Sequence, residues 1–237
     1  MDIKIPYTPR KHQAYLHKKI SENRWNVLVC HRRFGKTVCM INHLIRSALL
    51  SKNKNPRYAY ISPTFKQAKS IAWDYMKQFT AKIPYTKFNE TELRVDLPNG
   101  SRITLLGSEN SDGLRGIYLD GCVIDEYANV NERLFPEIIR PALSDRKGYC
   151  VFIGTPQGMN NNFYELYQHA QGADDWFNYK AKASDTKIVD NEELVKAKEV
   201  MGDKKYQQEF ECDWIANIEG SVYSDVLAKM EDQKQLT

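Results

Sequence analysis

No stretch of this 237-residue sequence approaches the roughly 18 consecutive apolar residues of a membrane-spanning helix, so a helical membrane protein is excluded. The first residues, Met1-Asp2-Ile3-Lys4-Ile5-Pro6, lack the apolar core of an export signal. Five cysteines, at positions 30, 39, 122, 150 and 212, form no CxxC or other metal-ligand spacing, and the five histidines form no HExxH. Zinc is therefore not expected. Three of the cysteines lie in or at the end of apolar strand-like runs, where a free thiol behaves as a small buried hydrophobe. A reducing, cytosolic setting accounts for this most simply. Internal repeats, low-complexity tracts and long linkers are also missing before the C-terminus.

What is present fits one α/β domain, alone or with a small appendage. Net charge is +4, but residues 1 to 60 carry 13 Lys/Arg against two Asp/Glu, so the remainder is acidic. A basic segment of this kind suits phosphate-rich partners, nucleotide or nucleic acid, though a solvated surface has the same composition. Strands are expected at 25–30, 58–62, 93–97, 102–106, 118–124 and 149–153. Val38, Ile41, Leu44, Ile45, Ala48 and Leu49 mark one helical face between the first two strands. Phe65, Ala68, Ile71, Ala72, Tyr75, Met76 and Phe79 mark another before the third. Alternation on both sides of Pro98-Asn99-Gly100 signals a hairpin. Strands separated by helices imply a mostly parallel sheet with crossovers. From about residue 176 the pattern turns helix-rich, with 191–210 suggesting a small lid.

The most informative segment is Cys30-His31-Arg32-Arg33-Phe34-Gly35-Lys36-Thr37, set between an apolar strand and an apolar-periodic helix beginning near Val38. Gly-Lys-Thr at a strand-to-helix turn ends a phosphate-binding loop: backbone N–H groups and the helix N-terminus cradle phosphates. The lysine reaches the β/γ-phosphates, and the threonine hydroxyl ligates Mg2+. Cys30 stands where the usual pattern begins with glycine. Such a loop requires an acidic residue at the tip of a nearby buried strand, and Cys122-Val123-Ile124-Asp125-Glu126 supplies it. Asp125 suits the metal. Glu126 suits a general base that polarises the attacking water. A third strand ends in Gly154-Thr155-Pro156, where a hydroxyl can sense the γ-phosphate, although glycine and proline also mark ordinary turns. In the loop from Gly107 to Gly116, Arg115 is either a surface arginine or an arginine finger supplied to a neighbouring subunit.

In this order, the Pro9-Arg10-Lys11-His12-Gln13 start, the Arg-rich and glycine-poor loop, Ser62-Pro63-Thr64, Leu114-Arg115-Gly116, Asp125-Glu126 and Gly154-Thr155-Pro156 resemble the large terminase subunit of tailed double-stranded DNA phages. The resemblance spans roughly residues 5 to 225. It implies a RecA/ASCE-like P-loop ATPase, α/β with a mostly parallel sheet, an antiparallel hairpin and a small helical lid. ATP is the implied substrate and Mg2+ the cofactor. Cys30, His31, Arg32, Arg33, Phe34, Gly35, Lys36, Thr37 and Val38 would form the nucleotide loop, and Gln13 would read adenine. Thr37 and Asp125 would hold the metal. Arg32 and Lys36 would act on the γ-phosphate with Glu126, Thr155 would couple hydrolysis to movement, and Arg115 would act in trans.

The implied function is ATP-driven packaging of double-stranded DNA through a portal protein into a procapsid. The small terminase subunit is an implied partner, and the assembled state a ring, expected to be a pentamer, of chains that are monomers alone. The setting would be the cytoplasm of an infected bacterium. Residues 1–175 are expected to form the core, 176–219 the lid and linker, and 220–237 an arm toward a nuclease domain that this sequence lacks. A helicase-like DNA translocase and a non-hydrolysing nucleotide switch are the competing readings.

Overall fold

The computed structural model describes residues 5–109 and 114–215, and the expected 220–237 arm lies outside them. Eight strands form one sheet: β1 (Trp25–Cys30), β2 (Arg57–Ser62), β3 (Lys87–Asn89), β4 (Arg94–Asp96), β5 (Arg102–Gly107), β6 (Gly121–Asp125), β7 (Tyr149–Gly154) and β8 (Trp176–Ala181). Their order is β3-β4-β5-β2-β6-β7-β1-β8. The six strands from β5 to β8 pair in parallel, and β3 and β4 add an antiparallel end.

The central strands are buried on both faces, as a doubly covered parallel sheet requires. Period-two alternation sorts them. Leu28, Cys30, Tyr58, Tyr60, Val123, Val151 and Ile153 face one cluster with Leu16 and Ile20 of α1 (Lys11–Glu22) and Met40, Leu44 and Ile45 of α2 (Lys36–Leu50). Trp25, Val27, Val29, Ala59, Ile61, Cys122, Ile124, Cys150 and Phe152 face a second cluster, with Leu134, Phe135, Ile139 and Phe163. A third, small cluster joins Ala183, Leu194 and Phe210 beneath two helices, Asn191–Met201 and Asp203–Phe210.

Three expectations need correction. The helical segment 65–80, α3, carries a π-helical insert at Ala68–Trp73. That extra residue per turn rotates the face, so Ile71 and Tyr75 are exposed while Trp73 is buried, its indole N–H donating to Glu90 Oε2 at 2.6 Å. β3 was not expected: three residues at a sheet end carry no readable period. Residues 176–181, expected in the lid segment, pair in parallel with β1 as an edge strand. All but Ala181 in that strand are half-buried, so the alternation that reveals a strand is absent.

Two histidines sit between α1 and α2. The His17 and His43 rings stack 5.4 Å apart with Nδ1 atoms 3.2 Å from each other, and the Tyr7 hydroxyl lies 2.9 Å from His17 Nε2. Burial, reinforced by Arg46, pulls His17 down to about 4, and burial, reinforced by His17 and then Arg46, pulls His43 to about 3. Both folded-state values lie below the unfolded 6.5, so acid protonates the unfolded chain first. Stability is complete above about pH 6.5 and declines as pH falls toward 4. From pH 7 to 5 the loss is on the order of 2 kcal/mol for a fully buried ring, and less for the partly exposed His17. Urea midpoints should fall over that range, with a shallower fall in His17→Asn. Equal pH dependence in the two proteins would contradict this assignment.

Candidate nucleotide-binding site

Because β1, β2, β6 and β7 are parallel, their C-terminal ends open on one edge of the sheet. β1 runs into the Gly35 loop, β6 ends at Asp125 and β7 leads to Thr155. β7 stands between the loop strand and the acidic strand, and so places Thr155 between Lys36 and Asp125-Glu126.

The loop holds its shape largely without glycine. His31 N donates to Ala181 O at 3.0 Å, Arg32 N to Glu209 O at 2.7 Å and Phe34 N to His31 O at 3.3 Å. The side chains of Cys30, His31 and Phe34 are buried. The Cys30 thiol faces the core, where burial pushes its pKa up. The His31 ring bridges Arg32 O at 2.6 Å and Thr186 Oγ1 at 2.8 Å. These three therefore shape the loop and offer a ligand only their backbone. Cys30 explains the missing first glycine, since a side chain directed into the core does not obstruct the cradle. Glycine is required at Gly35, with φ +88°, where a Cβ would come 2.9 Å from Gln13 Nε2.

Gly35 precedes α2, whose first turn has no acidic side chain, so the positive end of that helix is left for anions. Lys36 Nζ lies 3.0 Å from Thr155 Oγ1, 3.4 Å from Cys30 O and 3.7 Å from Glu126 Oε1, and its side chain is only 12 % exposed. Asp125 is buried, accepts a short hydrogen bond from the Tyr60 hydroxyl and caps Glu126 N at 3.0 Å. The Thr37 side chain lies close to the same Tyr60 hydroxyl. Thr37 and Asp125 thus converge on one small group, which fits two oxygen donors for a hard, mostly hydrated cation such as Mg2+.

Glu126 occupies a left-handed backbone conformation, φ +46°, that turns the chain sharply after the strand. Desolvation in the crevice raises the pKa of both carboxyls. The Tyr60 hydrogen bond and then Lys36 pull Asp125 back, and Lys36 chiefly restrains Glu126. A carboxyl poised above its ordinary range is suited to accept a proton near neutral pH.

Gln13 is buried, with Oε1 accepting from Arg10 N at 3.0 Å and Nε2 donating to Gly35 O at 3.4 Å, so α1 is fastened to the loop. Arg32, 62 % exposed, has its guanidinium 3.9 Å from Glu209. Arg33 is exposed and Val38 half-buried. Arg115 Nη2 lies 3.7 Å from Glu137 Oε2 on an exposed stretch. Lys36, Thr37, Asp125, Glu126 and Thr155 are therefore gathered, while the two arginines point to other acids.

Three participants escaped the sequence. Tyr60 reads as an ordinary strand aromatic. Gln208, fully buried, donates from Nε2 to Pro156 O at 2.6 Å, and the next residue, Glu209, accepts from Arg32 N. The helix Asp203–Phe210 thus grips both the phosphate loop and the segment after Thr155. No local motif marks such contacts, which depend on tertiary docking.

Residues 30–227 match the family model for the terminase large subunit, T4likevirus-type, N-terminal. The large terminase subunit of Thermus phage G20c is 25% identical over 182 residues, 69% of this chain and 36% of that protein, and that of Thermus virus P23-45 matches equally. The chain spans about a third of the length of these curated relatives. Among solved structures, the large terminase ATPase domain of Thermus phage P74-26 aligns with TM-score 0.74 at 21% identity, covering 89% of this chain and 96% of that one. A large terminase from another thermophilic bacteriophage, solved in complex with ADP, aligns with TM-score 0.75 at 18% identity, covering 86% and 53%. At these identities the structural likeness establishes the P-loop ATPase fold. The family match extends from the phosphate loop through the acidic strand and Thr155, and on it the chain belongs to the terminase large subunit family, in its T4likevirus-type N-terminal part.

Proposed function

We propose that this chain is the Mg2+-dependent ATP-hydrolysing domain of a motor that drives double-stranded DNA through a portal into a procapsid. The convergence of Lys36 with Thr155 and Glu126, beside Asp125, carries the reading. Lys36 and the N-terminus of α2 would hold the β/γ-phosphates, and Gln13 the adenine. Thr37 and Asp125 would hold Mg2+, which neutralises charge on the phosphate oxygens when bound. Glu126 would take the proton of the attacking water.

Thr155 gives a physical route for coupling. Its hydroxyl accepts from Lys36 Nζ, so a γ-phosphate that engages Lys36 competes for that bond and its loss restores it. The Gln208 and Glu209 contacts would carry the change into the C-terminal helices, with Arg32 exchanging Glu209 for phosphate. The small terminase subunit and a ring of five copies complete the proposed machine, acting in the infected cell's cytoplasm. No helix among the described residues is long and apolar enough to cross a membrane.

If Arg115 completes a neighbour's site, the lone chain turns over slowly and the rate rises on assembly. Phosphate release with Mg2+-ATP, measured with and without duplex DNA and portal-bearing procapsids, tests this. Arg115→Ala should lower the assembled rate by about 10³-fold or more while leaving nucleotide affinity unchanged. Full activity of the assembled variant removes the trans role.

A further inference from the structure

The opposite edge of the sheet has a distinct chemistry. The chain enters β2 through 51–56, β6 through 118–120, β7 through 144–148 and β1 through 22–24, all on the side away from the phosphate loop. These loops bring Arg24, Lys52, Lys54, Arg57, Arg146 and Lys147 to one rim. Arg24 Nε donates to Gly148 O at 3.1 Å, and Arg146 Nη1 to Lys54 O at 3.0 Å. The Arg57 and Arg146 guanidiniums both lie over the Tyr118 ring, at 5.9 and 4.6 Å.

The rim is built rather than incidental. Asp120 is buried and spends its carboxylate inward, accepting from Asn53 Nδ2 at 2.6 Å and Arg57 N at 2.7 Å with Arg146 at 3.6 Å. Asp120 therefore fixes three loops and offsets the charge of Arg146, leaving the three exposed lysines facing outward. Glu22 and Asp145 are the other acids there, both exposed. Lys52, Lys54 and Lys147 are exposed, and Lys147 sits at φ +50°, turning the chain.

We infer that this rim is a contact surface for the phosphate backbone of duplex DNA. The four strands from β2 to β1 span about 14 Å at ordinary strand spacing. A duplex laid along that length carries about four phosphates on each strand, and the rim's cations suffice to face those of the nearer strand. Among the described residues no base-reading element accompanies them, so contact is independent of sequence, as movement along arbitrary DNA requires. Six-residue strands put the rim about 20 Å from the nucleotide edge, so both can be occupied together. This inference rests on the DNA-packaging reading and adds the surface that reading leaves unassigned.

The test is a triple variant, Lys52→Gln, Lys54→Gln and Lys147→Asn, the last chosen because asparagine tolerates a left-handed backbone. A matched control, Lys66→Gln, Lys69→Gln and Lys82→Gln, removes the same charge from exposed positions on and beside α3. Affinity for a fluorescent duplex is measured across a salt series, with nucleotide affinity as the check of folding. The rim variant should bind duplex about tenfold or more weakly at 0.1 M salt, with the log–log slope reduced by about 2 to 3, and the control should stay near wild type. Equal binding by rim variant and wild type, or equal losses in both triples, overturns the surface. Retained duplex binding with lost procapsid binding also overturns it, in favour of a protein partner. A wild type that binds nucleotide but no duplex at low salt overturns the packaging reading itself.

Discussion

Glu126→Gln should reduce steady-state ATP turnover by about 10² to 10⁴-fold, the usual contribution of a positioned general base, while leaving nucleotide affinity within a few fold. Glutamine keeps the shape of the side chain and the strained turn at φ +46°. It cannot accept a proton at neutral pH. The carboxylate lies 3.7 Å from Lys36 and directly follows the buried Asp125, so the change also removes one of two neighbouring acids from a desolvated crevice. That relieves chiefly the desolvation cost of a buried charge, which outweighs the lost Lys36 attraction, and thermal stability should hold or rise. A fall in thermal midpoint together with lost binding would mean that the substitution acts through folding. Equal, slow phosphate release by wild type and variant under all conditions would instead favour a nucleotide switch.

Lys36→Ala removes more. The ammonium is the positive partner of both Glu126 and the Thr155 hydroxyl, and it lowers the pKa of both carboxyls. Losing charge-assisted bonds to phosphate, worth roughly 1.5 to 3 kcal/mol in all, should weaken ATP binding about 10- to 100-fold and leave only slow residual turnover. Arginine should not rescue it, because a broad planar guanidinium does not fit a slot lined by Cys30 O and Thr155 and only 12 % exposed. With Lys36 gone, both carboxyls titrate higher still, so any residual activity should move to higher pH. Titration with a fluorescent ATP analogue and a pH–rate profile measure both effects. Unchanged affinity would show that the phosphates bind elsewhere.

The parts of this site legible in sequence are those carried by short, ordered segments. The Gly35-Lys36-Thr37 turn, the Asp125-Glu126 strand end and Thr155 each have local signatures, and their order along the chain points to the sheet that assembles them. Cys30 is instructive: it resembles a flaw in the motif until the fold shows its side chain facing the core. Illegible were features created by packing. Tyr60 meets Asp125 because β2 and β6 are neighbours in register. Gln208 meets Pro156 because a helix from the end of the chain docks behind the loop. The π-helical insert in α3 displaces Ile71 and Tyr75 by a change in backbone winding that hydrophobic periodicity cannot signal. β8 hid because an edge strand half-buried along most of its length has no alternation to read.

In the proposed motor, the edge holding Lys36, Asp125, Glu126 and Thr155 hydrolyses ATP. Single-turnover conversion of substoichiometric ATP at high protein concentration, with duplex DNA present, tests it most directly, because neither product release nor repeated assembly limits the signal. Bound ATP should convert exponentially to ADP in a step that requires Mg2+ and is absent in Glu126→Gln. ATP that binds tightly yet stays intact for hours in the wild-type chain, with Mg2+ and DNA supplied, would contradict it.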